Sequence, residues 1–424
     1  MQPRDKSRAR VYGAARDSVS TSTMIGVATV TAVLIAFAVA GIGYQLVSAF
    51  AVWRTIAPAP QPIWIGNAPS VTLLKPLYGA EPRLAANLGG FLTQDYGGRC
   101  QIVCGVSAGN DGAIGAVETL RAESNADIAL VVDGVRHGSN AKVSNLVNMM
   151  AAAKHDILVV SDSDIAVGPD YLARVVGALA LPGIGAVTCL YHGRGDSGGW
   201  SKLAAQGISY GFLPAVVVGL RLGLAEPCMG STIALRRETL DAIGGFSAFA
   251  DVLADDHAIG VAVRVPGLHV AVPPFTVAHG CVDPSLRALM RHELRWNVTI
   301  RRLDPLGYLG HGLVNPLPFA VAATLVHPVA WPLLPVALAA RALVVAAVDR
   351  VTASRAAPYW WLPARDFLTF GLFIAGFLVQ SVDWRGARLK VARDGSISGQ
   401  DPVVARSHNA RGRSTTHNEG TSDA

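Results

Sequence analysis

The chain has 424 residues and a net charge of +6, with 51% hydrophobic but only 16% charged residues, where soluble proteins average about 25% charged. The length allows about two to three domains, and the shortage of charge argues for a membrane protein and against a soluble one. The basic residues form no nucleic-acid footprint. Arg4, Lys6, Arg8, Arg10 and Arg16 precede the first apolar segment, and Arg385, Arg388, Lys390 and Arg393 follow the last, the placement of topology and headgroup signals.

Residues 1–23 are polar and basic and are expected to be disordered. Residues 24–53 contain no Lys, Arg, Asp or Glu, enough to span a bilayer with tilt. The segment exceeds a signal-peptide core of about 7–15 residues, so it reads as an uncleaved anchor. Pro58, Pro60, Pro62 and Pro69 make a stiff linker. From there to about residue 180, β-branched runs alternate with helical stretches. Strands are predicted at 71–74, 101–106, 128–132 and 157–160, and helices at 81–93, 116–124, 142–153 and 171–180. That alternation predicts an α/β domain over 70–305 with a mainly parallel sheet covered on both faces. Ligands of such sheets bind beyond the carboxyl ends of the strands.

Beyond Pro182 the pattern loosens. Residues 210–224 are apolar apart from Arg221 and suit an interfacial helix or the wall of a lipid site. Residues 251–260 are acidic and sit at a helix start. The uncharged stretch 312–340, which carries His327, is broken by Pro316, Pro318, Pro328, Pro332 and Pro335. With 343–348 it predicts two closely spaced membrane helices or a re-entrant hairpin. A short apolar segment, 367–382, is bounded by Asp366 and Asp383. Membrane helices are thus expected over 311–384, and the polar tail 394–424 is expected to be disordered. The five cysteines show no metal spacing and read as reduced, mostly buried thiols.

The strand at 157–160 runs into Ser161-Asp162-Ser163-Asp164. Two carboxylates one residue apart suit a hard divalent cation that completes its shell with water and substrate phosphates. Alone, such a pair is more often an ordinary acidic loop capping the next helix. A haloacid-dehalogenase phosphatase motif wants Thr or Val where Ala166 stands. In Asp255-Asp256, mutual repulsion can raise one carboxyl into the range of a general base, although acids at a helix start are also favoured by the macrodipole. Arg287, Arg291 and Arg295 fall at i, i+4 and i+8, so they share one helix face. Beside Trp296 they suit a diphosphate and an aromatic contact; taken alone they are a basic stripe before a membrane segment. Gly138-Ser139-Asn140-Ala141-Lys142 adds a turn with a lysine at a helix start, a diphosphate contact. In combination these groups point to sugar transfer from a nucleotide-diphosphate donor.

The order Lys75-Pro76-Leu77, His137-Gly138-Ser139-Asn140-Ala141-Lys142, Asp162-Ser163-Asp164, Ala254-Asp255-Asp256 and Arg291-x-x-x-Arg295-Trp296 resembles the ceramide glucosyltransferase family. Within it, the chain looks most like bacterial hopanoid-associated glycosyltransferases. Matching text includes Thr93-Gln94-Asp95-Tyr96, Pro169-Asp170-Tyr171-Leu172, Ala242-Ile243-Gly244-Gly245-Phe246 and Asp383-Trp384-Arg385. The resemblance implies a GT-A fold, a UDP-sugar donor, a divalent cation (Mg2+ or Mn2+) and an inverting displacement onto a lipid hydroxyl. Carried over, Asp162 and Asp164 contact metal and donor, and Asp256 is the base. Arg291, Arg295 and Trp296 hold the diphosphate, with Lys75 and Lys142 on the donor side. One family carboxylate falls at Ala108 here, and Asp111 is the candidate to replace it.

The expected partners are a UDP-sugar, the bilayer and a lipid acceptor, hopanoid first and ceramide second, and no nucleic acid. A processive polysaccharide synthase would need more membrane helices for a polymer channel. A silent scaffold would account for Ala108 but not for the other motifs. Because UDP-sugars are cytoplasmic, the catalytic domain of this multi-pass inner-membrane protein should face the cytoplasm, against the five basic residues that favour an inside N-terminus.

Overall fold

In the computed structural model the described residues are 6–56, 68–379, 381–384, 387–391 and 397–399. Ten strands build the α/β domain: Val71–Pro76 (β1), Cys100–Val106 (β2), Asp127–Val132 (β3), Ile157–Val160 (β4), Ile165–Ala166 (β5), Ile184–Thr188 (β6), Leu190–Gly195 (β7), Ile233–Arg236 (β8), His269–Ala271 (β9) and Thr276–Cys281 (β10). Seven of them form one sheet in the order β3-β2-β1-β4-β8-β6-β9. β3, β2, β1 and β4 are mutually parallel. The β4–β8 and β8–β6 pairs are antiparallel, and β6–β9 is parallel again. The four predicted strands form this parallel half, and helices fall at Leu84–Leu92, Ile114–Glu123, Ala141–Met149 and Tyr171–Leu179 as their periodicity requires. The GT-A-like α/β expectation is met, with a mixed, mostly parallel sheet.

Both faces of the sheet are covered, which is why β1 and β2 read as continuous apolar runs. Leu73, Ile102, Val159 and Phe91 pack on one side. Leu74, Val103, Val160 and Leu146 pack on the other. A second sheet, β5-β10-β7, stands beside the carboxyl end of β4. Its β10–β5 register pairs His279 with Ile165, and the Gly280 N–H donates to the Asp164 carbonyl at 2.9 Å. That pairing staples β10 to the acidic motif. All five cysteines are free.

Among the described residues, four helices are long and apolar enough to cross a membrane: Met24–Thr55, Gly199–Arg221, Pro328–Thr352 and Tyr359–Leu378. A further pair, Pro305–Val314 and Pro316–Val326, is bent by 62°, as the prolines predict. The first helix begins at Lys6, inside the basic stretch expected to lack structure. It joins the C-terminal helices through Ala38, Ala320 and Ala337 and a stacked Phe37–Phe319 pair at 5.2 Å. Gly199–Arg221 differs from the others. Its most apolar stretch is 67% buried, against 17% for the first helix, so it packs as part of the α/β domain. Three short strands, Ser381–Trp384 (β11), Ala387–Val391 (β12) and Ile397–Gly399 (β13), pair antiparallel in sequence order. Arg385 and most of the tail from residue 394 lie outside the described residues.

Candidate functional site

A cavity of about 590 Å³ opens at the carboxyl end of β4, within the range of small-molecule sites. Lys142, Asp162, Asp164, Asp256, Arg295 and Trp296 all line it. Six of the sequence-predicted residues, drawn from four separate segments, therefore meet in one place.

The floor is acidic and braced by lysines. Lys142 Nζ lies 2.7 Å from Asp162 Oδ1 and 3.6 Å from Asp255 Oδ2. Burial alone would lower this ammonium, but the carboxylates of Asp162, Asp255 and Asp256 outweigh it and hold the pKa above its ordinary value. Burial raises Asp164, Asp255 and Asp256 above the usual carboxylate range, against the pull of nearby cations. Asp256 Oδ2 accepts from Gly230 N–H at 2.9 Å, and Oδ1 accepts from His257 N–H at 2.8 Å. Both bonds fix the carboxylate in the cavity wall.

Lys75 does not line the cavity. Its side chain is fully buried, donating to the Asp162 carbonyl at 2.6 Å and to Ser161 Oγ at 3.2 Å. It also lies 4.1 Å over the Phe91 ring, and burial pushes its pKa down to about 8. It braces the acidic loop from behind. The Gly138-to-Lys142 turn likewise divides its labour. A Cβ at Gly138 would lie 2.6 Å from the Ala250 carbonyl, so glycine is required for close approach. Ser139 N–H and Oγ donate to Asp251 Oδ1 at 2.8 and 2.9 Å. Asn140 caps its helix through Lys142 N–H and Val143 N–H, while its Nδ2 donates to the Val252 carbonyl and Asp255 Oδ1. The turn docks the Asp255-Asp256 loop, and Lys142, with Ala141 beside it, reaches the cavity.

Asp111 also has other work. Its Oδ1 accepts from Gly79 N–H and Ala113 N–H, both at 2.8 Å, which ties two loops together. The neighbouring Tyr78 and Ser107 line the cavity; Asp111 and Ala108 do not. Arg291 is exposed and is not part of the lining. Helix Leu286–Leu303 turns His292, Arg295, Trp296, Thr299, Ile300 and Leu303 toward the cavity, the i, i+3, i+4, i+7 rows of one face. Arg291 falls outside that arc.

Several lining residues carry no advance signal in the sequence. His279 Nε2 is 3.4 Å from Asp164 Oδ2, and its ring stacks on Tyr191 at 5.4 Å. His292 meets Trp296 at 4.3 Å between centroids. A Cβ on Gly230 would sit 2.9 Å from Asp162 Oδ2 and 3.2 Å from Lys142 Nζ. Strand β10 could have been found from its alternation, but its pairing partner is long-range. The far wall is apolar, with Phe212, Val216, Met229, Leu253, Ile300 and Leu303.

Whether these residues fit a divalent cation can be asked of their atoms. Asp164 Oδ1 is buried without a hydrogen-bond partner, and the donors here are hard oxygens. No set of three or more His, Cys, Asp or Glu side chains converges among the described residues. The fit is therefore to a cation that takes most of its ligands from water and substrate phosphates.

The family model for glycosyl transferase family 21 matches residues 33–397. The chain is similar to ceramide glucosyltransferase 1 of Caenorhabditis elegans, with 25% identity over 54% of this chain and 49% of that protein. To ceramide glucosyltransferase of Komagataella phaffii it is 30% identical, over 32% of this chain and 26% of that one. It thus spans at most about half the length of these curated relatives. Among solved structures, a mannosyltransferase from Pyrobaculum calidifontis in complex with GDP-Man and Mn2+ is 21% identical, with a TM-score of 0.45 over 82% of this chain and 99% of that chain. Glucosyl-3-phosphoglycerate synthase of Mycobacterium tuberculosis, in complex with Mn2+, UDP and phosphoglyceric acid, is 20% identical, with a TM-score of 0.34 over 55% and 78%.

Proposed function

The chain belongs to glycosyl transferase family 21, and from that premise we propose that it is a membrane-bound inverting hexosyltransferase moving one sugar from a UDP-sugar to a membrane-lipid hydroxyl. A ceramide-type acceptor is the first candidate, because the curated relatives are ceramide glucosyltransferases. A hopanoid acceptor, the sequence's first expectation, has no support from these relatives and moves to second place. One observation carries the reading: a single cavity joins a carboxylate–lysine floor to an arginine–tryptophan helix face and an apolar wall.

In this reading the diphosphate lies between Lys142 and Arg295, whose planar guanidinium offers two parallel N–H donors to phosphate oxygens. Asp162 and Asp164 would hold a divalent cation, which supplies neutralisation of the charge on the departing diphosphate. Asp256, raised by burial yet fixed by two backbone N–H groups, takes the proton from the acceptor hydroxyl. The hydroxyl oxygen bonds to the anomeric carbon as the bond to UDP breaks, which inverts that centre. Trp296 covers the sugar side, and the apolar wall receives the start of the lipid chain. Arg291 has no place in this arrangement, and Asp111 acts through its loop.

Product mass spectrometry tests the proposal. Purified protein receives UDP-glucose or UDP-N-acetylglucosamine together with ceramide or a polyhydroxylated hopanoid. The expected product is ceramide carrying one hexose. Transfer to the hopanoid alone would restore the first expectation, and a product with many sugars would replace the proposal with a polymer synthase.

A further inference from the structure

Helix Leu286–Leu303 has a second face, opposite the cavity, that the reaction does not use. Glu293, Asn297 and Arg301 lie on it at i, i+4 and i+8, and they tie to the last apolar helix, Leu362–Leu378, directly at Glu293, through Tyr308 at Asn297 and just past the helix end at Arg301. Arg365 Nη1 and Nη2 donate to the two oxygens of Glu293 at 2.7 and 2.8 Å, with both side chains at least nine-tenths buried. The single Tyr308 O–H proton is shared between the Phe373 carbonyl at 2.7 Å and Asn297 Oδ1 at 3.1 Å. Arg301 Nη2 donates to the Val379 carbonyl at 3.0 Å, just past the end of the same helix.

Arg365 reaches a third element as well. Its Nη1 donates to the Leu203 carbonyl at 3.2 Å, on the helix run Gly199–Arg221 that supplies Phe212 and Val216 to the apolar wall. The guanidinium lies over Gly207, where a Cβ would come within 2.1 Å of Nη2. Next to it, Arg341 pairs with Asp366 at 3.0 Å, both almost fully buried. A planar fork held at two carboxylate oxygens fixes orientation as well as distance. Glu293 precedes Arg295 by two residues and Trp296 by three, so a shift of this latch moves both.

We propose that Arg365 is a positioning residue: its buried bidentate pair with Glu293, seated over Gly207, sets the spacing between the arginine–tryptophan helix and the apolar wall. The membrane part of the chain thereby governs how the phosphate clamp meets the donor. This inference rests on the proposed hexosyl transfer. Its consequence is a split effect. The donor's floor, Lys142 and Asp162, belongs to other elements and stays in place, while the face closing over the donor loses its register.

Three variants test this in detergent-purified full-length protein: Arg365→Lys, Gly207→Ala, and the neutral pair Glu293→Gln with Arg365→Gln. Gly207→Ala keeps both charges and only displaces the guanidinium. Turnover should fall at least about tenfold in each. UDP affinity should stay within about threefold of wild type, and the neutral pair should melt close to wild type because no unpaired charge is left buried. A merely structural latch predicts that turnover recovers with melting temperature in the neutral pair, which would overturn the proposal. Wild-type turnover in Gly207→Ala would overturn it too. Absence of UDP-sugar-dependent transfer by the wild-type protein would instead remove the functional reading on which it rests.

Discussion

Gly230→Ala is the smallest change that reaches the cavity floor. The added methyl would stand 2.9 Å from Asp162 Oδ2, 3.2 Å from Lys142 Nζ and 3.5 Å from Asp256 Oδ2. The first contact is closer than carbon and oxygen tolerate, the second is tight and the third is ordinary. Asp162 and Lys142, joined at 2.7 Å, must therefore yield by a few tenths of an ångström, while the Gly230–Asp256 hydrogen bond can persist. Overpacking of this kind costs on the order of 1 kcal/mol of stability. Its catalytic cost is larger, because a misplacement of about 1 Å can lose about a hundredfold in rate. We expect turnover to drop by roughly ten- to a hundredfold, measured as steady-state UDP release, with a melting temperature near wild type. Gly230→Val should extend the loss. Unchanged turnover in Gly230→Ala would show that the Asp162–Lys142 pair does not hold the reacting donor.

Asp162→Ala and Asp164→Ala should each abolish transfer while expression persists, and chelator-resistant activity would remove the cation from the account. Arg295→Lys keeps the charge but loses the fork, so kcat/KM should fall at least about tenfold; Arg291→Lys, altering an exposed side chain outside the cavity, should not. Asp111→Ala should raise the apparent donor constant with little change in turnover if its loop shapes donor binding, and Ala108→Asp should be neutral or tighten UDP binding. Burial holds His192 down to about 4 against an ordinary 6.5, so between those values the unfolded chain binds a proton that the fold refuses. Stability should accordingly fall as pH drops through that window, by at most about 3 kcal/mol, and His192→Gln should flatten the loss in a pH-resolved melt.

Much of the parallel half was legible because β1, β2, β3 and β4 are short apolar runs separated by helices of regular period. The antiparallel β8, the return of β6 beside it and the small β5-β10-β7 sheet depend on pairings between distant segments, which no local pattern encodes. At the site, Asp162, Asp164, Asp256, Arg295 and Trp296 were legible because their chemistry is unusual for their surroundings. Lys75 and Asn140 belong to two of the quoted motifs but stand behind the cavity, since a fully buried ammonium and a helix cap look like site residues in one dimension. Arg291 failed for a geometric reason, because three arginines on a stripe need not all face one cavity. Gly230, His279 and Arg365 were invisible, as their roles come only from close approach.

The central claim is that this cavity transfers a single hexose to a lipid hydroxyl with Asp256 as the base. The most direct measurement is UDP release by wild-type protein and Asp256→Asn, with and without ceramide, alongside UDP binding by titration. The account predicts acceptor-dependent release in the wild type, at least about a hundredfold less in Asp256→Asn, and equal UDP affinity in both. Full activity in Asp256→Asn would contradict it.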